Sequence, residues 1–137
     1  MDDMELVTAA SVYMERARAP YSHFKVGAAL LCADGTVFGG CNIENASYGA
    51  TMCAERCAAS TAVAEGKTEF VKIAVVGGHD GIIKDFTAPC GICRQFLSEL
   101  CGAEFEVLLY DGENIKKKTL GELLPDSFSL EKEYDND

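Results

Sequence analysis

Two short stretches, Cys53-Ala54-Glu55-Arg56 and Pro89-Cys90-Gly91-Ile92-Cys93, constrain the fold of this chain more than any other feature. Each reads as a helix start. One helix is expected from about Met52 to Ala64, with Gly66 placed to stop it and Cys53 in its first turn. The other follows Pro89, from about Cys90 to Cys101-Gly102. Three thiols and a carboxylate can act together only if the fold brings these two N-termini to one point. At such a terminus, unpaired amides and the positive end of the helix dipole stabilise a thiolate and lower its pKa. Cys53, Cys90 and Cys93 are therefore candidate metal ligands. Three donors leave a coordination position for water, whereas a structural zinc site is closed by four. Zinc there lowers the pKa of the water from about 15.7 to about 7, and Glu55 is the group able to move its protons. The competing arrangement is a closed site recruiting Cys57, which shares a helix face with Cys53. Arg56 is either a surface charge or a donor to thiolate sulfur. In the second role it would offset the net charge of about −1 that three thiolates leave on Zn²⁺.

The rest of the chain supplies a scaffold. An apolar stripe at Leu6, Ala10, Met14 and Ala17 predicts a helix from Glu5 to Ala17, stopped by Pro20. Val26 to Cys32 is an almost unbroken small and apolar run, as in a strand buried on both faces, and Asp34-Gly35 turns it into a hairpin with Thr36 to Cys41. Val71 to Val76 reads as a strand and Gly77-Gly78-His79-Asp80-Gly81 as a flexible link. Glu106 to Tyr110 is a further strand and Ile115 to Lys118 a short basic edge strand. Thr119 with Glu122 forms a capping box for a last helix closed by Pro125. This order predicts an α/β fold: a mixed five-stranded sheet with helices on both faces and parallel neighbours within its βαβαβ section. With 137 residues, 48% of them hydrophobic, one domain over 1–128 is expected, followed by an acidic, flexible tail over 129–137.

Charge and cysteine count narrow the function. Twenty-two acids against 12 Lys and Arg give a net charge of −10, a field that repels a nucleic-acid backbone and suits a small neutral or cationic substrate. Seven cysteines, an odd number, without a readable secretory signal or membrane span, point to a reducing, cytoplasmic setting. Cys32, Cys41 and Cys101 read as small buried hydrophobes.

C-x-E followed by P-C-x-x-C reproduces the signature of the zinc deaminases. Together with Tyr21-Ser22-His23-Phe24-Lys25-Val26-Gly27-Ala28-Ala29-Leu30, Gly40-Cys41-Asn42-Ile43-Glu44-Asn45-Ala46-Ser47-Tyr48 and the run on to Arg94-Gln95, it resembles the small, homotetrameric, three-cysteine cytidine deaminases. The likeness runs from the first helix to about Phe128. The resemblance implies an αβα sandwich, one Zn²⁺ per subunit on Cys53, Cys90 and Cys93, and Glu55 as the catalytic proton shuttle. It implies hydrolysis of cytidine and deoxycytidine to uridine and deoxyuridine with release of ammonia, in pyrimidine salvage. Asn42 and Glu44 match the family's ribose contacts, Phe24 an aromatic of the nucleoside pocket, and Ala54 a backbone contact to the base edge. Ala46, Tyr48 and Phe128 match groups that neighbouring subunits lend to the site.

Three other readings stay open at this point. One is a deaminase of a cytosine-containing nucleoside antibiotic. Another is a zinc-stabilised binding module without catalysis, which four-thiolate coordination would favour. The third, a deaminase of cytosine in RNA or DNA, is opposed by the acidic charge and the absence of a basic aromatic groove.

Overall fold

The computed structural model describes residues 1–130; residues 131–137, most of the anticipated tail, lie outside the described residues. The chain runs through helix α1 (Asp3–Met14), strands β1 (Phe24–Cys32) and β2 (Val37–Cys41), helix α2 (Ala54–Ala64), strand β3 (Phe70–His79), helix α3 (Gly91–Leu100), strands β4 (Glu106–Tyr110) and β5 (Ile115–Thr119), and helix α4 (Leu120–Leu123). The five strands form one sheet in the order β2-β1-β3-β4-β5. β3 and β4 are parallel neighbours, and the other three pairings are antiparallel.

Alternation along the strands sorts the core into two layers, because successive side chains of a strand point to opposite faces. Ala28, Leu30 and Cys32 of β1, with Ile73, Val75, Val107 and Leu109, pack under α2, α3 and α4. Ala29 and Leu31, with Ala74, Val76 and Leu108, pack against Leu6, Val7, Ala10 and Met14 of α1. Burial on both faces explains the unbroken apolar run of β1.

Glycine lets the helices close onto the sheet. At Gly27 a Cβ would collide with the α1 backbone at Ala10 and Met14. At Gly40 it would lie 2.9 Å from the Cys57 Cβ and closer still to the backbone of Ala54 and Ala58. The second contact presses the first turn of α2 onto β2.

Three local expectations are corrected. α1 starts and ends earlier than the apolar stripe suggests, because Asp2 caps it, accepting from the Glu5 amide at 2.8 Å in a capping box. β3 does not stop at Val76: Gly77, Gly78 and His79 pair with Val26, Lys25 and Phe24 of β1, so the first three residues of the glycine-rich link are strand. Cys53 is not in the first turn of α2 but is its N-cap residue, with extended backbone and no side-chain cap bond. The capping box at Thr119 and Glu122 forms as expected, with Thr119 Oγ1 accepting from the Glu122 amide at 3.2 Å.

This topology explains the meeting of the two helix starts. Since β1 is antiparallel to both β2 and β3, β2 and β3 run the same way and end at the same edge of the sheet. α2 follows β2 and α3 follows β3, both on one face. Their N-termini converge beyond the carboxyl ends of those strands, where open α/β sheets place ligands.

Candidate active site

Cys90 caps α3 as Cys53 caps α2, again with extended backbone and no side-chain cap bond, so both thiols are spared for another partner. Cys93, fully buried, completes the set. The three Sγ atoms all lie within 4.8 Å of one another, and those of Cys53 and Cys90 are 3.8 Å apart. A tetrahedral ion with Zn–S bonds of about 2.3 Å would set its sulfurs about 3.8 Å apart. The donor set therefore fits zinc in number, kind and spacing. Cys57 is not among the grouped sulfurs; its Cβ lies against Gly40, on the β2 side of α2. That placement removes the closed four-cysteine arrangement.

Electrostatics point the same way. The Cys53 thiol is drawn down to about 5, first by its hydrogen bond with Cys93 and then, against burial, by Arg56 and Cys90. Cys93 moves the other way, pushed up by that same bond and by burial. One sulfur in the cluster ionises readily at the expense of its neighbour, so a cation is needed among them before all three can carry charge. Arg56 supplies positive charge from the side: its NH2 donates to Cys53 Sγ at 3.5 Å and to the Thr51 carbonyl at 3.2 Å. Its Nε is buried without a partner among the described residues. The thiolate of Cys53 raises the pKa of the guanidinium further.

Glu55 stands two residues into the sequence from Cys53 and is 4% exposed. Burial lifts its carboxyl above the usual carboxylate range; the charge of Cys53 adds to the lift, while the Glu55 backbone amide and the Cys93 thiol oppose it. A buried carboxyl beside three thiols is a poor structural element, since unpaired burial of its charge is costly. It is a good proton carrier, because its pKa is moved toward neutrality.

Cys53, Cys90 and Glu55 line a cleft of about 180 Å³, shared with Val26, Asn42, Glu44, Met52, Ala54, Thr87 and Ala88. Asn42 and Glu44 are more than cleft lining. Asn42 Oδ1 accepts from the Val26 amide and its Nδ2 donates to the Phe24 carbonyl, both at 2.8 Å, which leaves one N–H and one lone pair of the amide for a ligand. The Glu44 carboxylate accepts from the amides of Tyr21 and Ser22 at 3.0 and 3.1 Å and from the Ser22 hydroxyl. These bonds, that of the Ser22 hydroxyl foremost, hold its pKa below the usual range. Phe24 lies next door, in a 330 Å³ hollow with Gly77, His79 and Phe86 that meets the cleft at Thr87.

Ala46, Tyr48 and Phe128 do not reach this cleft. Ala46 and Tyr48 belong to an excursion closed by the Ile43–Met52 bridge, and Tyr48 is 85% exposed. Phe128 is also exposed, its carbonyl accepting from Gln95 Nε2 at 3.1 Å. Ser22, Thr87 and Ala88 join the site without having been singled out in the sequence. Ser22 lies in the Tyr21-Ser22-His23-Phe24 motif, and Thr87-Ala88 lead directly into Pro89-Cys90, which were the available signals.

A metal-ready thiol cluster with a buried carboxyl, set at the carboxyl ends of strands in an αβα sandwich, defines a zinc-dependent hydrolytic centre. Residues 1–108 match the family model described as "Cytidine and deoxycytidylate deaminase zinc-binding region", and the chain belongs to that family. Similar curated proteins include a cytidine deaminase of Halalkalibacterium halodurans, 48% identical over 132 residues that cover 96% of this chain and 97% of the relative. One of Sporosarcina psychrophila is 43% identical, with 96% and 94% covered. Among solved structures, the cytidine deaminase of Burkholderia pseudomallei superposes with a TM-score of 0.87 at 48% identity, over 93% of this chain and all of the other.

Proposed function

We propose that the protein hydrolyses the exocyclic amine of cytidine and deoxycytidine, yielding uridine or deoxyuridine and ammonia, and so serves pyrimidine salvage. The observation that carries this is the burial of Glu55 beside the Cys53, Cys90 and Cys93 thiols, in a chain similar over nearly its whole length to cytidine deaminases. Zinc held by the three cysteines supplies the Lewis acidity that makes water nucleophilic at neutral pH. Glu55 takes the proton of the attacking water and delivers it to N3 as oxygen adds at C4. It then takes the proton of the hydroxyl added at C4 and passes it to the amino group; the C4–N bond breaks as the C4 carbonyl forms, and ammonia leaves. Ala54, at the start of α2, offers its backbone to the base edge. The free N–H of Asn42 and the remaining lone pair of Glu44 face the ribose, and Phe24 borders the nucleoside.

The functional unit in this reading is residues 1–128, with 129–137 as an appended tail, one zinc per subunit and a cytoplasmic homotetramer. The rings of Tyr48 and Phe128 are exposed and so available to a neighbouring subunit, and aromatic residues are enriched at subunit contacts. Ala46, Tyr48 and Phe128 then complete a neighbour's cleft and exclude a polymer strand. No helix among the described residues is long and apolar enough to cross a membrane.

The test is direct. Zinc-loaded protein given cytidine or deoxycytidine should release one ammonia per cytosine chromophore lost. Absence of turnover on both nucleosides, with one zinc bound per chain, would overturn the assignment.

A further inference from the structure

The sulfur of Cys90 stands at the exposed edge of the cluster, on a residue that is half outside its helix. Something must hold the peptide that precedes it. α3 does this with its own next turn: the Arg94 amide donates to the Cys90 carbonyl at 2.9 Å, and Arg94 Nε donates to the Pro89 carbonyl at 2.7 Å. The other end of the same guanidinium reaches elsewhere, NH1 donating to the Leu123 carbonyl at 2.8 Å. That carbonyl belongs to the last turn of α4, where helix carbonyls lack intrahelical partners. One rigid fork thus joins the backbone immediately before a thiol donor to the C-terminal segment.

We infer that Arg94 is a positioning residue for the metal centre, acting through its Nε bond to the Pro89 carbonyl to fix the direction of Cys90. The inference rests on the reading of Cys53, Cys90 and Cys93 as zinc ligands. Its chemistry singles out arginine. Nε lies within the side chain, at a position where lysine has a methylene, so lysine keeps a terminal donor for Leu123 but has none for Pro89. Groups that orient metal ligands through the backbone or an outer hydrogen bond tune affinity without touching the ion.

The experiment measures the rate at which zinc passes from the loaded protein to an excess of a colorimetric chelator, for wild type, Arg94→Lys, Arg94→Gln and Gln95→Ala. The last removes only the neighbouring tie to the Phe128 carbonyl. Both Arg94 variants should release zinc roughly 10-fold faster or more, and Gln95→Ala at the wild-type rate. Cobalt-substituted Arg94→Lys should show an altered thiolate-to-cobalt charge-transfer band, while its melting temperature stays near that of the wild type. Wild-type zinc release and an unchanged cobalt band in Arg94→Lys would overturn the inference, whether or not Arg94→Gln folds. A wild type that binds no zinc would instead overturn the ligand assignment beneath it.

Discussion

Asn42→Ala separates what the site does for the fold from what it does for a substrate. The Asn42 side chain continues the β2 ladder after the strand has ended, accepting from Val26 and donating to Phe24, with both bonds at 2.8 Å and the residue buried. Each such bond contributes about 0.5–1.5 kcal/mol net, and its loss leaves a half-buried backbone group without a partner. The substitution should therefore cost about 1–3 kcal/mol. For a chain of this size, between the ranges for small and larger domains, about 3–4 °C of melting temperature accompanies each kcal/mol. A fall of roughly 3–12 °C is expected. Thermal unfolding followed by circular dichroism should be run metal-free and at one protein concentration, because bound zinc, substrate or partner subunits shift the midpoint by mass action. Asn42→Asp keeps the acceptor for Val26 but turns a carboxylate oxygen on the Phe24 carbonyl, so it should not restore the loss. A midpoint within 1 °C of the wild type for Asn42→Ala would refute the argument that this amide holds β1 in place.

Other substitutions read other parts of the structure. Gly40→Ala forces a methyl into the first turn of α2 and should cost about 1–3 kcal/mol, seen in denaturant unfolding. It should also lower turnover more than a remote change of equal cost, because α2 carries Cys53 and Glu55. Arg56→Gln removes the donor to Cys53 Sγ; zinc affinity by chelator competition should fall on the order of 10-fold to 100-fold, and an unchanged affinity would count against the charge argument. For Glu44 the folded pKa is depressed by Ser22 and Tyr21, so its contribution is present above the ordinary carboxylate pKa of about 4.3. It disappears as pH falls through the folded value. The melting-temperature gap between wild type and Glu44→Gln should be open at pH 7 and close in strong acid; a gap independent of pH would contradict this.

The thiol cluster was legible because its pattern is local. Cys53 and the Cys90/Cys93 pair each announce a helix start through their neighbours, and the convergence of two helix starts follows from strand order alone. The hairpin at Asp34-Gly35, the doubly buried β1 and the capping box at Thr119 are equally local and are found where expected. The extension of β3 through Gly77 and Gly78 was not legible, because those glycines read as a break until Phe24, Lys25 and Val26 lie beside them. Likewise, nothing near Glu44 in sequence shows that its carboxylate holds the turn at Tyr21 and Ser22, or that Arg94 bridges Pro89 to Leu123. Such bonds join residues whose meeting depends on the whole fold. Ala46, Tyr48 and Phe128 are exposed, and the partner-site roles that the resemblance implies for them remain part of the proposal.

Whether Glu55 moves the protons is decided by ammonia release from cytidine, compared between wild type and Glu55→Gln, each loaded to the same zinc content. The amide keeps the size of the carboxyl but cannot carry the proton, so turnover should fall by at least the 10²–10⁴-fold that a positioned acid–base group contributes, with zinc stoichiometry unchanged. Turnover within a few-fold of the wild type at equal zinc would contradict the assignment of Glu55 as the group that moves the protons.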